Sequence, residues 1–349
     1  MKRILITAGY MGTGSSAMTD LLSEFKSVNN KYKDFEYIFL HCPGGIFDLE
    51  DKLLIGNNSM RSDEALHAFR NTMKDLYDVK FWWPGNYKNV IGKNFMNIVD
   101  EYINSITLFK TDNFWYYQEK PTKVGMIKYI YFYILNKIFN NKFKNKKVLT
   151  YDKMFLSYID SNTFYEKSKI FINNVIYEID KSDDDILLDQ LLLPHNAWRI
   201  DNYFDNNTKM FIVDRDPRDL FVLNKYVWSK KGISVPYSFD VKKFCIQYRE
   251  IRKNVKEYNK KFVMNIQFED LIYKYDDTLK NIMKFMSYSD EDHINKMNRF
   301  DPNKSIANTQ VYLSENIDNE EIRYIEKELK EFLYDFPYQV SSSIDNTLD

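Results

Sequence analysis

Apolar residues along this chain follow two alternating patterns. Short runs at 4–6 and 210–213 predict strands, the second of the fully buried kind found in parallel sheets. Residues 35–40 and 262–268 are further strand candidates, and Pro43-Gly44-Gly45 supplies a turn after the first of these. Between the runs, apolar residues recur at three- and four-residue intervals. Met18, Leu21, Leu22 and Phe25 form one such face; Leu220, Leu223 and Val227 another; Leu279, Ile282, Met283 and Met286 a third. Helices are also expected over 61–77, 164–179 and about 319–334, the last with Ile322, Ile325, Leu329, Phe332 and Leu333 on one side. Residues 186–188 and 191–193 are an apolar stretch ending in Pro194-His195-Asn196. Strands alternating with helices predict an α/β fold with a mostly parallel sheet, whose ligands sit beyond the carboxyl ends of the strands.

Two predicted strand ends carry anion-binding chemistry. The first strand runs into Gly9-Tyr10-Met11-Gly12-Thr13-Gly14-Ser15-Ser16 and then a helix. Glycines there let backbone N–H groups approach a phosphate, and Thr13, Ser15 and Ser16 add hydroxyl donors. The plain alternative is an ordinary tight turn between strand and helix. The pattern G-x-x-x-x-G-K-[ST] is absent, because no Lys follows Gly14. The strand at 210–213 runs into Asp214-Arg215-Asp216-Pro217-Arg218-Asp219, where Arg215 and Arg218 offer planar forks to phosphate oxygens. Alternatively both arginines pair with the flanking aspartates in a structural network. Taken together, two strand-end anion sites on one sheet would grip a ligand bearing two separated phosphates.

Composition narrows the classes. A chain of 349 residues that is 44% apolar is ample for a substantial core, and a net charge of −1 argues against binding nucleic acid by bulk charge. Cys42 and Cys245 are too few for a disulfide framework, and no metal-ligand spacing is present, so no metal is expected. The start lacks the apolar core of a signal peptide, and a cytoplasmic location is expected. Residues 124–139 are apolar and aromatic, followed by a lysine-rich run to 147, and are short for a membrane span. The preferred expectation is an insertion packing on the enzyme body with its lysine end solvated. The alternative is an interfacial helix, with 124–147 making peripheral contact at the inner face of the membrane.

Three motifs in order resemble the sulfotransferases that use 3′-phosphoadenosine 5′-phosphosulfate (PAPS). Gly12-Thr13-Gly14-Ser15-Ser16 is similar to that family's 5′-phosphosulfate loop, and Arg215-Asp216-Pro217-Arg218-Asp219 to its 3′-phosphate motif. Phe268-Glu269-Asp270-Leu271-Ile272, with the helix after it, resembles the family's Y/F-E-D-L segment. The resemblance implies a P-loop-type three-layer fold over residues 1–340, with a helical and aromatic insertion at about 86–185; residues 341–349 are expected to be a disordered tail. Many family members have a Lys in the first loop where this chain has Gly12, and a Ser where it has Leu223, with Asn224 beside it. Lys304, Ser305 and Asn308 sit where the resemblance puts a cofactor-covering loop.

The resemblance implies a sulfotransferase moving a sulfuryl group from PAPS to a hydroxyl, with a carbohydrate (a cell-surface polysaccharide or glycolipid) as the expected acceptor. Its general base is expected one loop after the first helix, where Glu36 and His41 both lie; Glu36 is preferred, and His41 has a pKa suited to the task. His195 is a candidate for holding the acceptor. Competing readings are a nucleotide-dependent phosphotransferase and a sulfotransferase-like module that binds nucleotide without turnover.

Overall fold

The computed structural model describes residues 2–33, 35–80, 84–111, 123–140, 142, 154–233, 236–340 and 344–347. Five strands form one sheet in the order β2–β5–β1–β6–β7, every neighbouring pair parallel: β1 (Ile4–Gly9), β2 (Val28–Asn29), β5 (Asp185–Asp189), β6 (Thr208–Asp214) and β7 (Val263–Gln267). A separate antiparallel pair joins β3 (Phe109–Thr111) to β4 (Met154–Leu156).

The central strand β1 is buried at all six positions, and its side chains alternate between two cores. Ile4, Ile6 and Ala8 face one cluster with Met210 and Ile212. The helices Ser59–Asp78, Phe95–Ile106 and Ser161–Ile179 cover that side. Leu5 faces the other, with Leu187, Phe211, Val213 and Ile266, covered by the helices Ser15–Leu22 and Tyr275–Met286. Period-two alternation under two helical layers makes the sheet the middle of a three-layer α/β fold, as the sequence pattern predicted. The chain adds β2 and β5 on one flank of β1 and β6 and β7 on the other. The strand order therefore reverses at β1, and a crevice opens at its carboxyl end.

Side-chain caps account for several helix starts. Asn58 accepts from the N–H of Arg61, Asp160 from that of Thr163, and Asp216 from that of Arg218, each satisfying a donor that no helical carbonyl can reach.

Three expectations need correction. Residues 35–40 form no strand: Glu36 makes a single parallel bridge to Asp189, and the chain then turns, burying Phe39 and Leu40. The short β2 already pairs with that flank of β5, leaving 35–40 only the end of the strand. The last helix stops at Glu328 and continues as the 3-10 turn Lys330–Phe332. Among the described residues the helix Lys123–Ile138 shows no packing on the body: its isoleucines are exposed, and none of its described side chains joins a core cluster. By contrast, the ends of the stretch read as an insertion supply two helices of the main core. The lysine-rich run at 143–147 and most of the expected tail lie outside the described residues. Of the tail, Ile344–Asn346 forms a 3-10 turn, and Ile344 packs on the cluster around Val222 and Ile322.

Candidate functional site: two cavities sharing one glycine

Beyond the carboxyl ends of β1 and β6 lies a cavity of about 280 Å³. Gly12, Gly14 and Ser16 from the first loop line it, together with Arg215, Lys304 and Asn308. Gly12 and Gly14 have φ of +73° and +101°, the left-handed region that favours glycine. Side chains there would also meet aromatic rings: a Cβ on Gly12 would lie 2.7 Å from Trp228, and one on Gly14 would lie 2.7 Å from Phe268. The two glycines thus let the backbone rest against two rings that face the same cavity. The N–H groups of Gly12, Thr13 and Gly14 have no acceptor among the described residues.

Arg215 is the cation at the base of this cavity. It is 4% exposed, its guanidinium lies 4.5 Å above the Phe268 ring, and one Nη donates to the carbonyl of Asn308. Its Nε has no hydrogen-bond partner among the described residues. Burial lowers its pKa, while Asp219, Glu269 and Asp216 pull the other way. Burial also pushes Asp219 up to about 7, with Asp216 adding to it and Arg215 opposing it. A buried cation with an unmet donor, beside unpaired backbone N–H groups, suits an anion.

The remaining wall is a segment that the sequence reading passed over. Glu24 is fully buried at the end of the first helix, and its carboxylate accepts from His293 Nε2 at 2.8 Å and from the N–H groups of Met297, Arg299 and Phe300. That single carboxylate fixes the turn carrying Arg299 into the cavity. Arg299 stands five residues before Lys304, so nearness to that stretch was its only signal. Trp228 arrives on a π-helical turn, Leu223–Trp228, that extends the helix Pro217–Val222.

Three anticipated cofactor residues point elsewhere. The Thr13 hydroxyl donates to the carbonyl of Val213 and accepts from the N–H of Tyr10. Arg218 forks onto Asp216, reaches Glu326, and stacks on Tyr312 at 4.2 Å. Asn224 is buried and donates to the carbonyl of Tyr237. For Arg218 the structural network weighed from the sequence is the arrangement found.

A second cavity, of about 600 Å³, lies on the other side of the loop. It gathers Glu36, His41 and His195, with Ser15, whose Oγ accepts from Gln190 Nε2 at 3.2 Å. Its walls are mainly apolar, including Tyr10, Ile38, Leu193 and Ile251, and among the described residues no Lys or Arg lines it. Gly12 lines both cavities. Glu36 has no hydrogen-bond or ion-pair partner among the described residues, and burial raises its pKa. His41 Nε2 lies 2.8 Å from the carbonyl of Gln190, which can only accept, so Nε2 carries the proton and Nδ1 keeps the lone pair. Burial lowers the His41 pKa to about 4, against the contact with Gln190 and with help from His195. Burial lowers His195 as well. Among the described residues no cluster of His, Cys, Asp and Glu could hold a metal ion.

No protein-family profile matches the chain, and no curated protein matches it. Among solved structures, it is similar to the sulfotransferase domain from the curacin biosynthetic pathway, with a TM-score of 0.40 and 12% identity over 96% of this chain and 99% of that one. The sulfotransferase domain of the Synechococcus PCC 7002 olefin synthase gives a TM-score of 0.39 and 12% identity, over 97% and 98% of the two chains. Sulfotransferase STF9 from Mycobacterium avium gives 0.35 and 11%, over 98% of this chain and 78% of that one.

Proposed function

We propose that this protein is a sulfotransferase that moves a sulfuryl group from PAPS to a hydroxyl of a carbohydrate acceptor. The observation that carries the reading is the shared wall: an anion-binding cavity and a cavity holding two candidate bases meet at Gly12. The donor set fits a nucleotide with two anionic ends. The first loop would hold the 5′ end by its backbone N–H groups and Ser16. Arg215, through its unmet Nε, would hold the 3′-phosphate with Lys304, and Arg299 would add positive charge. Trp228 and Phe268 offer ring faces to a base. Bound there, PAPS supplies the sulfuryl group and a stable bisphosphate leaving group.

The chain's own contribution is positioning and proton transfer. Gly12 lines both cavities and has no side chain to stand between them. Glu36 as carboxylate, or His41 through Nδ1, accepts the proton that the acceptor hydroxyl gives up. Tyr10 and the apolar walls offer faces to a sugar ring, and His195 and Gln190 offer polar contacts. Arg215, Arg299 and Lys304 meet the negative charge that remains on the donor side.

Thermal shift with adenosine 3′,5′-bisphosphate is the first test, followed by consumption of radiolabelled PAPS with a panel of glycans. Stabilisation by the bisphosphate and not by ATP–Mg²⁺ is expected; the reverse preference overturns the reading in favour of a phosphotransferase. One observation favours a second reading. Among the described residues, none that lines the acceptor cavity is a Lys or Arg that could meet a transferring sulfuryl group, which suits a module that binds the nucleotide without turning it over. Bisphosphate binding with no PAPS consumption across the panel would select that reading.

A further inference from the structure

We infer that the helix Lys123–Ile138 docks the protein on an anionic lipid surface, lying in the interface and not crossing it. The helix lies in the long connection between β3 and β4, and among the described residues none of its side chains belongs to a core cluster. Ile127, Ile130, Ile134 and Ile138 are 67, 52, 50 and 65% exposed. At 100° per residue they fall within about 80° of arc and form a continuous isoleucine ridge. Scattered exposed apolar residues are ordinary, but a ridge of four isoleucines on one helix face is not. Tyr131 flanks the ridge on one side and Tyr133 on the other, both exposed. Amphipathic rings in that position suit the depth of lipid headgroups.

Charge identifies the occupant. From Lys120 to Lys147 the sequence holds eight lysines and no Asp or Glu, in a chain whose net charge is −1. The rest of the protein is therefore net negative. An anionic surface attracts this segment and repels the remainder, which orients the molecule with the ridge toward lipid. Two copies packing ridge to ridge would bring like charges together. The helix is also too short to span: 16 residues rise about 24 Å against a hydrocarbon core of about 30 Å. No helix among the described residues is long and apolar enough to cross a membrane. An apolar ridge flanked by tyrosines and lysines is the composition of an interfacial helix. This inference does not depend on the reaction proposed above.

The test is co-sedimentation of the full chain with phosphatidylcholine vesicles, with and without phosphatidylserine. Binding is expected with phosphatidylserine and should weaken as salt rises. The double variant Ile130→Asp with Ile134→Asp should lose at least about tenfold in binding. Its melting temperature should stay at the parent's, because neither side chain is in a core. Replacing Lys142, Lys144, Lys146 and Lys147 by Gln should remove the preference for phosphatidylserine. No sedimentation of the parent with phosphatidylserine vesicles, or equal sedimentation of the double variant, overturns the inference. So does a parent that binds no vesicle but forms a dimer by light scattering that the double variant abolishes, which would assign the ridge to a second copy.

Discussion

Gly12 and Trp228 stand against each other where the two cavities meet, so close that a Cβ on the glycine would lie 2.7 Å from the indole ring. With φ at +73°, that backbone would cost a substituted residue roughly 1–2 kcal/mol before any contact with the ring. A Lys at this position, which the resemblance implies, therefore could not be accommodated without moving Trp228. We expect Gly12→Ala to weaken bisphosphate binding at least about tenfold and to alter Trp228 fluorescence. Titration calorimetry giving the parental affinity would mean that the tight fit of loop and ring is irrelevant to the nucleotide.

Arg215 should contribute about 1.5–3 kcal/mol to bisphosphate affinity if its free Nε meets a phosphate oxygen. Arg215→Ala also leaves Asp219 and Glu269 with less compensating charge, so its melting temperature should fall. Binding should therefore be measured well below that temperature, beside Arg215→Lys, which keeps the charge but not the fork. Unchanged affinity in both variants would remove Arg215 from the site.

Glu36→Gln should abolish turnover and leave nucleotide affinity intact, whereas His41→Gln should retain turnover if Glu36 is the base. The pH profile gives a second handle. A base must be deprotonated, so activity rises with pH through its pKa. If Glu36 is the base, the acid limb should lie above the ordinary carboxylate range, because burial raises its pKa. For His41 the limb should fall near pH 4. A limb near 4 together with active Glu36→Gln would transfer the role to His41.

His41 also predicts a stability trend. Its folded pKa of about 4 lies below its ordinary value of 6.5, so the folded state binds fewer protons than the unfolded one between those values. Its contribution is complete above about pH 6.5 and is lost as pH falls towards 4. The parent's melting temperature should drop more steeply across this window than that of His41→Gln. Parallel curves would show that the buried imidazole is not linked to folding.

Glu24→Gln should destabilise the fold by about 1–3 kcal/mol, because one carboxylate oxygen becomes a donor facing backbone N–H groups. Since Glu24 holds the turn bearing Arg299, bisphosphate affinity should fall too, measured at a temperature where the variant is folded. A stability loss with parental affinity would make Glu24 a structural residue with no bearing on the cavity.

Local pattern determined a good deal of this protein. The unbroken apolar run at 210–213 predicted a strand buried on both faces, and the three-to-four spacing of Met18, Leu21 and Leu22 a helix face, and both are found. Strand–loop–helix order then put Gly12, Gly14 and Arg215 at one end of a sheet, since parallel strands carry their following loops on the same side. Tertiary structure decided what each side chain does there. Thr13, Arg218 and Asn224 read as ligands by type, yet turn inward, because carbonyls and carboxylates distant in sequence or buried beside them take their donors first. Glu24 carried no signal, since the N–H groups it holds lie about 275 residues away in the chain. Residues 35–40 had the composition of a strand but found only the end of β5 to pair with. The helix Lys123–Ile138 had the composition of a core helix, but none of its described side chains joins a core cluster among the described residues. Periodicity states which residues can share a face; only the assembled chain determines what that face meets.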